Sequence, residues 1–259
     1  MKNTALITGA SSGLGRDFAL LHAQTKSDVV IVARREDKLL ELKQEITQKY
    51  HTEVYIITKD LSVPKAAEEI YDELKQKNIE ISYLINNAGF GEISEFYQQD
   101  MNKIESMLNL NMLTLTKLCR LYLPDFIKRN QGKILNVASI AALMPGPLQA
   151  TYYASKAYVL SLSNAIAEEI KATNVTITTL LPGATNTEFG KVSKMENTAL
   201  FSHPATSKEV SVVGYRAMLA GKLNVKAGIP GYLKFGLKFL HFIPKKTLLN
   251  FVYQNQKVK

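Results

Sequence analysis

The chain has 259 residues, 46% of them hydrophobic, enough for a continuous core in one α/β domain. Its formal charge of +9 is unevenly placed: the last acidic residue is Glu209, beyond which stand Arg216 and eight lysines, so residues 1–209 are formally neutral. That distribution argues against a general nucleic-acid-binding surface, and the single cysteine, Cys119, excludes an intrachain disulfide and suits a reducing compartment. Cys119 falls within the apolar pattern Leu115, Leu118, Leu121, Leu123 and reads as a small buried side chain. No apolar stretch reaches the roughly 20 residues needed to span a bilayer as a helix. Met1-Lys2-Asn3 runs into a glycine turn too soon for a signal peptide, so a cytoplasmic chain without a leader is expected.

In chain order, Ala5–Thr8, Val29–Ala33, Val54–Thr58, Tyr83–Asn86, Ile134–Ser139 and Val175–Leu181 read as strands. Helix-like stretches lie between them near 15–25, 36–49, 65–77, 101–123 and 152–172. Parallel strands need crossover connections, so this alternation predicts an α/β fold with a doubly wound parallel sheet and helices on both faces. Residues 1–227 are expected to form that domain, and 228–259 a basic amphipathic C-terminal extension. In the extension Lys234, Lys238 and His241 recur at helical spacing within Tyr232–Phe242, with Leu233, Phe235, Leu237, Phe239, Leu240 and Phe242 on the remaining face. Three readings stand open for it: contact with a membrane surface, a cover over a lipophilic substrate, or packing against the body or a second subunit.

The first strand leads into Thr8-Gly9-Ala10-Ser11-Ser12-Gly13-Leu14-Gly15 and then a helix. Glycines here let the main chain turn tightly and approach a pyrophosphate, whose charge is met by amide N–H groups and the positive helix end. After the second strand, where an acidic residue would favour the ribose hydroxyl of NAD, stands Ala33-Arg34-Arg35. With no carboxylate to repel a 2′-phosphate and a guanidinium to bind it, this favours NADP, with Arg34 the principal contact and Ser11 or Ser12 adding a hydroxyl. Tyr152 and Lys156 are four residues apart, on one helical face, and Tyr152 follows Ser139 by thirteen. The ammonium is expected to lower the tyrosine pKa from about 10, and the strand-end serine to hold a substrate oxygen. Tyr153 is the rival, but it lacks both spacings.

Together, Thr8-Gly9-x-x-x-Gly13-x-Gly15, Asn86-Asn87-Ala88-Gly89, Ser139, Tyr152-x-x-x-Lys156 and Pro182-Gly183 resemble the short-chain dehydrogenase/reductase family over nearly the whole chain. The resemblance implies a nicotinamide cofactor and reduction of a ketone or aldehyde, with a lipophilic or 3-oxoacyl compound among the candidate substrates. Tyr152 is then the proton donor, Ser139 steadies the carbonyl oxygen, and Lys156 binds the nicotinamide ribose as well as tuning Tyr152. Asn111 supports a water-linked proton relay. Asp60 and Leu61 hold the adenine, Asp60 equally able to cap the helix that starts near Pro64, and Asn87, Ala88 and Gly89 pass close to the adenosine ribose. Pro182, Gly183, Thr185 and Thr187 line the nicotinamide, Thr187 at its carboxamide, and the irregular stretch 188–207 fits a substrate lid. A homo-oligomer is expected, and no metal. Oxidation of a secondary alcohol, or a non-catalytic dinucleotide sensor or scaffold, are the alternative functions; retention of all four candidate catalytic residues weighs against the latter.

Overall fold

The computed structural model describes residues 3–193, 195, 198, 202, 204–237 and 239–257, and of Tyr232 and His241 the backbone alone. Six parallel strands, β1 (Ala5–Thr8), β2 (Val29–Ala33), β3 (Val54–Thr58), β4 (Tyr83–Asn86), β5 (Gly132–Val137) and β6 (Val175–Pro182), occur where the apolar runs predict them. A two-residue pair follows, β7 (Thr185–Asn186) with β8 (Ala205–Thr206), and then β9 (Asn224–Ala227). The main sheet is seven-stranded, in the order β3-β2-β1-β4-β5-β6-β9, and parallel throughout. Strand order reverses between β1 and β4, and in such sheets the crevice beyond the strand ends at that point receives ligands.

Side chains alternate across the strands as the pleat requires. Leu6, Val30, Val32, Leu84 and Ile134 face one layer, formed by α3 (Ala66–Gln76), α5 (Leu115–Arg129) and α6 (Ala150–Glu169). Ala5, Ile7, Val29, Ile31, Ile85 and Leu135 face the other, formed by α1 (Gly13–Ala23), α2 (Glu36–Tyr50) and α8 (Ser207–Leu219). Phe18 and Phe126 are the largest wholly buried side chains, one in each layer. Cutting either to alanine would cost about 3–5 kcal/mol.

Several elements differ from expectation. The stretch read as one helix near 101–123 is α4 (Met101–Leu108), a π-helical turn Asn109–Thr114, and α5, which continues through Pro124 to Arg129. The wider turn is held from outside, Thr114 Oγ1 donating to Leu61 O at 2.7 Å, and buried Phe126 carries α5 past the proline. Strand β5 ends at Val137, so Ser139 lies beyond the strand. Helix α8, closed by a capping box between Thr206 and Glu209, and the edge strand β9 were not foreseen.

The extension breaks at Gly236 into α9 (Gly231–Gly236), a 3₁₀ turn Leu240–Phe242, and α10 (Lys245–Gln256). Lys238 and the side chains of Tyr232 and His241 lie outside the described residues, as do seven residues of the stretch 188–207. Of that stretch the structure shows α7 (Glu188–Val192) and the start of α8. No described helix is long and apolar enough to cross a membrane.

Candidate active site

The crevice at the strand switch opens into a cavity of about 1030 Å³, which runs from the glycine loop and Arg34 past Ser139 and Tyr152 to Leu248 and Phe251 of α10. Ligand sites commonly span about 300–1,000 Å³, so there is room for an extended ligand and a second molecule. Its floor is the loop after β1. Gly9 has φ +68°, a left-handed conformation that disfavours side chains, and a Cβ on Gly15 would stand 2.2 Å from Gly9 O. Those two positions bring the backbone down to the start of α1, and Ser11, Ser12, Gly13 and Leu14 line the cavity.

The loop after β4 is tied to this floor. Thr8 Oγ1 accepts from the N–H groups of Asn87 and Ala88, both at 3.0 Å, and Asn87 Nδ2 donates to Thr8 O and Gly9 O at 3.0 and 3.3 Å. Asn87 therefore clamps β1 to β4 with its side chain while Ala88 and Gly89 line the groove. A Cβ on Gly89 would lie 2.9 Å from Asn111 Oδ1 and 3.4 Å from Lys156 Nζ, so glycine leaves the wall thin where the lysine approaches.

Asn111 sits in the π turn, 1% exposed. Its Oδ1 accepts from Phe90 N–H at 3.1 Å, and its Nδ2 donates to Phe90 O and Ser155 Oγ at 3.0 and 3.1 Å. The amide is thus committed to joining the loop after β4 to α6, and π turns often mark functional positions. Asn86 pairs with Asn136 across β4 and β5 at 2.9 Å behind it, beside the buried Cys119, whose thiol burial pushes up to about 12.

Ser139 caps the 3₁₀ turn Ile140–Leu143, its Oγ accepting from Ala141 N–H at 3.1 Å, which leaves the hydroxyl hydrogen free to turn toward the cavity. Tyr152 and Lys156 lie on α6, both buried. Lys156 Nζ donates to Val137 O at 2.9 Å and stands 5.8 Å from the centre of the Tyr152 ring. Burial brings Lys156 down to about 8, near neutral pH. The expected lowering of the tyrosine pKa is reversed: burial pushes Tyr152 up to about 12, opposed by the Ser139 hydroxyl. Desolvation decides the direction, and the lysine points its proton at the Val137 carbonyl. Tyr152 consequently stays a phenol at neutral pH, the form that can give a proton away. Tyr153, the rival, accepts a hydrogen bond from Gln256 Nε2 at 2.7 Å and packs against Gly146, so its hydroxyl anchors α10.

Arg34 is largely exposed, with its Nη1 3.9 Å from Asp60 Oδ2. Asp60 folds back onto Ser62, accepting from its N–H at 2.9 Å and its Oγ at 2.7 Å; it closes a turn and does not cap α3. Leu61 is buried and holds Thr114 through its carbonyl. Both Arg34 and the neighbouring Arg35 line the groove, and Arg35 donates to Ser11 Oγ at 3.1 Å and pairs with Glu188 at 2.6 Å.

Pro182, Gly183, Thr185 and Thr187 line the wall opposite α6. Thr185 Oγ1 donates to Gly183 O at 2.9 Å, and Thr187 caps α7 by accepting from Phe189 N–H at 3.3 Å. Phe189 leans on Tyr152, ring centres 5.4 Å apart. Val252 and Leu248 of α10 pack against Tyr152, Tyr153 and Met144, so the extension covers the end of the cavity away from the glycine loop. Among the described residues no group of histidine, cysteine, aspartate or glutamate side chains has the grouping of a metal site.

The chain is similar to known proteins in sequence and in fold. Residues 3–197 match the family model described as short chain dehydrogenase. The chain is 33% identical over 196 residues to the very-long-chain 3-oxoacyl-CoA reductase of Rattus norvegicus, a match covering 73% of this chain and 62% of that protein. It is 29% identical to the human protein of the same name over 98% of this chain and 83% of that one. A short-chain dehydrogenase from Sphingobium yanoikuyae, solved in complex with NADPH, superposes with a TM-score of 0.80 at 29% identity, covering 86% of this chain and 87% of that one. The chain belongs to the short-chain dehydrogenase family.

Proposed function

We propose that this oxidoreductase reduces a lipophilic ketone or aldehyde with NADPH, Tyr152 giving the proton. The observation that carries the reading is the joint placement of Ser139, Tyr152 and Lys156 on one cavity whose far end is walled by Phe90, Met144, Leu248 and Val252. The groove suits a dinucleotide: a backbone floor kept open at Gly9 and Gly15, a thin wall at Gly89, and guanidinium groups beyond β2. In this reading Ser11, Ser12, Gly13 and Leu14 hold the pyrophosphate, Arg34 and Arg35 the 2′-phosphate, Asp60 and Leu61 the adenine, and Thr185 and Thr187 the nicotinamide side. The bound cofactor supplies the hydride.

The chain's own residues handle the proton and the oxygen. Ser139 Oγ, already accepting from Ala141 N–H, donates to the carbonyl oxygen and orients it toward Tyr152. The phenol gives its proton as negative charge develops there, and the Lys156 ammonium steadies the phenolate that remains. Asn111 fixes the loop that carries Gly89 and Phe90, and so holds the wall beside Lys156 in place. In reverse, the same groups oxidise a secondary alcohol.

The apolar cap favours a substrate with a long hydrocarbon part, which agrees with the names of the rat and human relatives. Phe235, Phe239 and Phe242 cluster on the outside of that cap, ring centres 5.0 and 6.4 Å apart, with exposed Lys234, Lys245 and Lys246 beside them in sequence. We propose that this basic aromatic face rests on an anionic lipid surface next to the mouth of the cavity. The reading as a whole is tested by screening short and long ketones and aldehydes with NADPH and NADH, following absorbance of the reduced cofactor. Turnover of long carbonyl compounds with NADPH is expected; no turnover of any carbonyl with either cofactor would overturn it.

A further inference from the structure

Arg35 and Glu188 come from opposite walls of the dinucleotide groove, 153 residues apart in sequence, and meet in a two-pronged pair. Nη2 donates to Oε2 at 2.6 Å and Nη1 to Oε1 at 3.2 Å, while Nη2 also reaches Ser11 Oγ at 3.1 Å. The Arg35 hydrogen bond holds the Glu188 carboxyl below its ordinary range, helped by the Ser12 hydroxyl.

Glu188 begins α7, and its neighbours are also engaged. Thr187 lies on the glycine loop, where a Cβ on Gly13 would come within 2.9 Å of its Cγ2. Phe189 packs on the Tyr152 ring. Three successive residues therefore touch the pyrophosphate loop, the arginine after β2, and the candidate proton donor.

We propose that Glu188 is a cofactor-selectivity residue, a built-in carboxylate that holds the Arg35 guanidinium until a 2′-phosphate displaces it and frees α7. An unphosphorylated dinucleotide leaves the pair intact. Two anions cannot share one guanidinium fork without repelling each other, so the carboxylate must yield when the phosphate binds. The inference rests on the reading of Arg34 and Arg35 as the 2′-phosphate site. Both partners are about half exposed, at 43% and 52%, so the competition is worth only the few-fold effect of a surface ion pair.

Titration calorimetry of NADPH, NADH and 2′,5′-ADP tests it with the unmodified protein, Glu188→Gln, Arg35→Ala and the double variant. Glu188→Gln should tighten NADPH and 2′,5′-ADP by about three- to fivefold and leave NADH within about twofold. In the Arg35→Ala background the same change should do nothing. Hydrogen exchange gives an independent readout in the absence of turnover. The amides of α7 should exchange faster in ligand-free Glu188→Gln, and faster in the unmodified protein with 2′,5′-ADP but not with 5′-ADP. Equal effects on NADPH and NADH, or an effect that persists without Arg35, would overturn the role of Glu188 while leaving NADPH preference standing. If instead the unmodified protein binds NADPH no better than NADH and ignores 2′,5′-ADP, the 2′-phosphate reading fails first and the role of Glu188 falls with it.

Discussion

Gln256, near the end of α10, joins that helix to α6 and its N-cap. Its Nε2 donates to Tyr153 Oη at 2.7 Å and its Oε1 accepts from Gln149 Nε2 at 2.9 Å, with both glutamines fully buried. Gln256→Ala strands two buried polar partners, and each such loss costs about 1–3 kcal/mol, so about 2–6 kcal/mol is removed from docking of α10. The other buried side chain of α10 is Val252, whose burial contributes about 1.5–3 kcal/mol. The loss is therefore comparable to what remains, and the cap should open locally without unfolding the sheet. The assay is steady-state kinetics with a long-chain and a short-chain ketone, beside hydrogen exchange of residues 245–256. For the long ketone kcat/KM should fall about tenfold or more, the equivalent of about 1.4 kcal/mol of lost contact, while the short ketone changes little. Equal losses for both, or exchange unchanged in α10, would refute the reasoning that this segment is a substrate cover tethered through Gln256.

Three further outcomes are expected. Because burial brings Lys156 down to about 8 while Tyr152 stays a phenol to about 12, kcat/KM for reduction should fall as pH rises through about 8; a flat profile to pH 10 would contradict the role given to the lysine. His22 accepts from Tyr215 Oη through Nδ1 and donates to Asn3 O through Nε2, and burial lowers its pKa to about 4. The unfolded chain takes up that proton near pH 6.5, so stability should fall by about 3 kcal/mol between pH 6.5 and about 4, and His22→Gln should flatten that slope in denaturant titrations. The intact protein should sediment with anionic but not neutral vesicles and be released by salt. Replacing Phe235, Phe239 and Phe242 together by serine should abolish this without lowering the melting temperature, whereas dissociation of an oligomer by the same change, seen by light scattering, would make that face a subunit contact.

The sheet was legible because its buried strands are short apolar runs closed by turn residues: Ala5–Thr8, Val29–Ala33, Val54–Thr58 and Tyr83–Asn86 fall where the runs do. Spacing singled out Gly9, Gly13, Ser139, Tyr152 and Lys156, which line one cavity, and Gly15, which packs against Gly9. What spacing cannot give is desolvation. The four-residue separation of Tyr152 and Lys156 suggests a lowered tyrosine, but it says nothing of how deeply α6 is buried, and burial decides the direction. The π turn around Asn111 was invisible because its stabilising contacts come from Leu61, Phe90 and Ser155, far away in sequence. Strand β9 is short and reads Asn224-Val225-Lys226-Ala227, too polar for a buried-strand signal; its place at the sheet edge explains that composition. The pairing of Arg35 with Glu188, 153 residues away, was not legible because it depends on the tertiary fold.

The most direct test of the central claim is Tyr152→Phe, which deletes the phenol hydroxyl and almost no volume. Measured beside Tyr153→Phe, it should keep cofactor affinity and melting temperature while turnover falls by at least about two to four decades, the usual share of a positioned acid. Tyr153→Phe should keep most turnover and loosen α10. If Tyr152→Phe retained turnover and Tyr153→Phe lost it with the fold intact, the assignment of the proton donor would be contradicted.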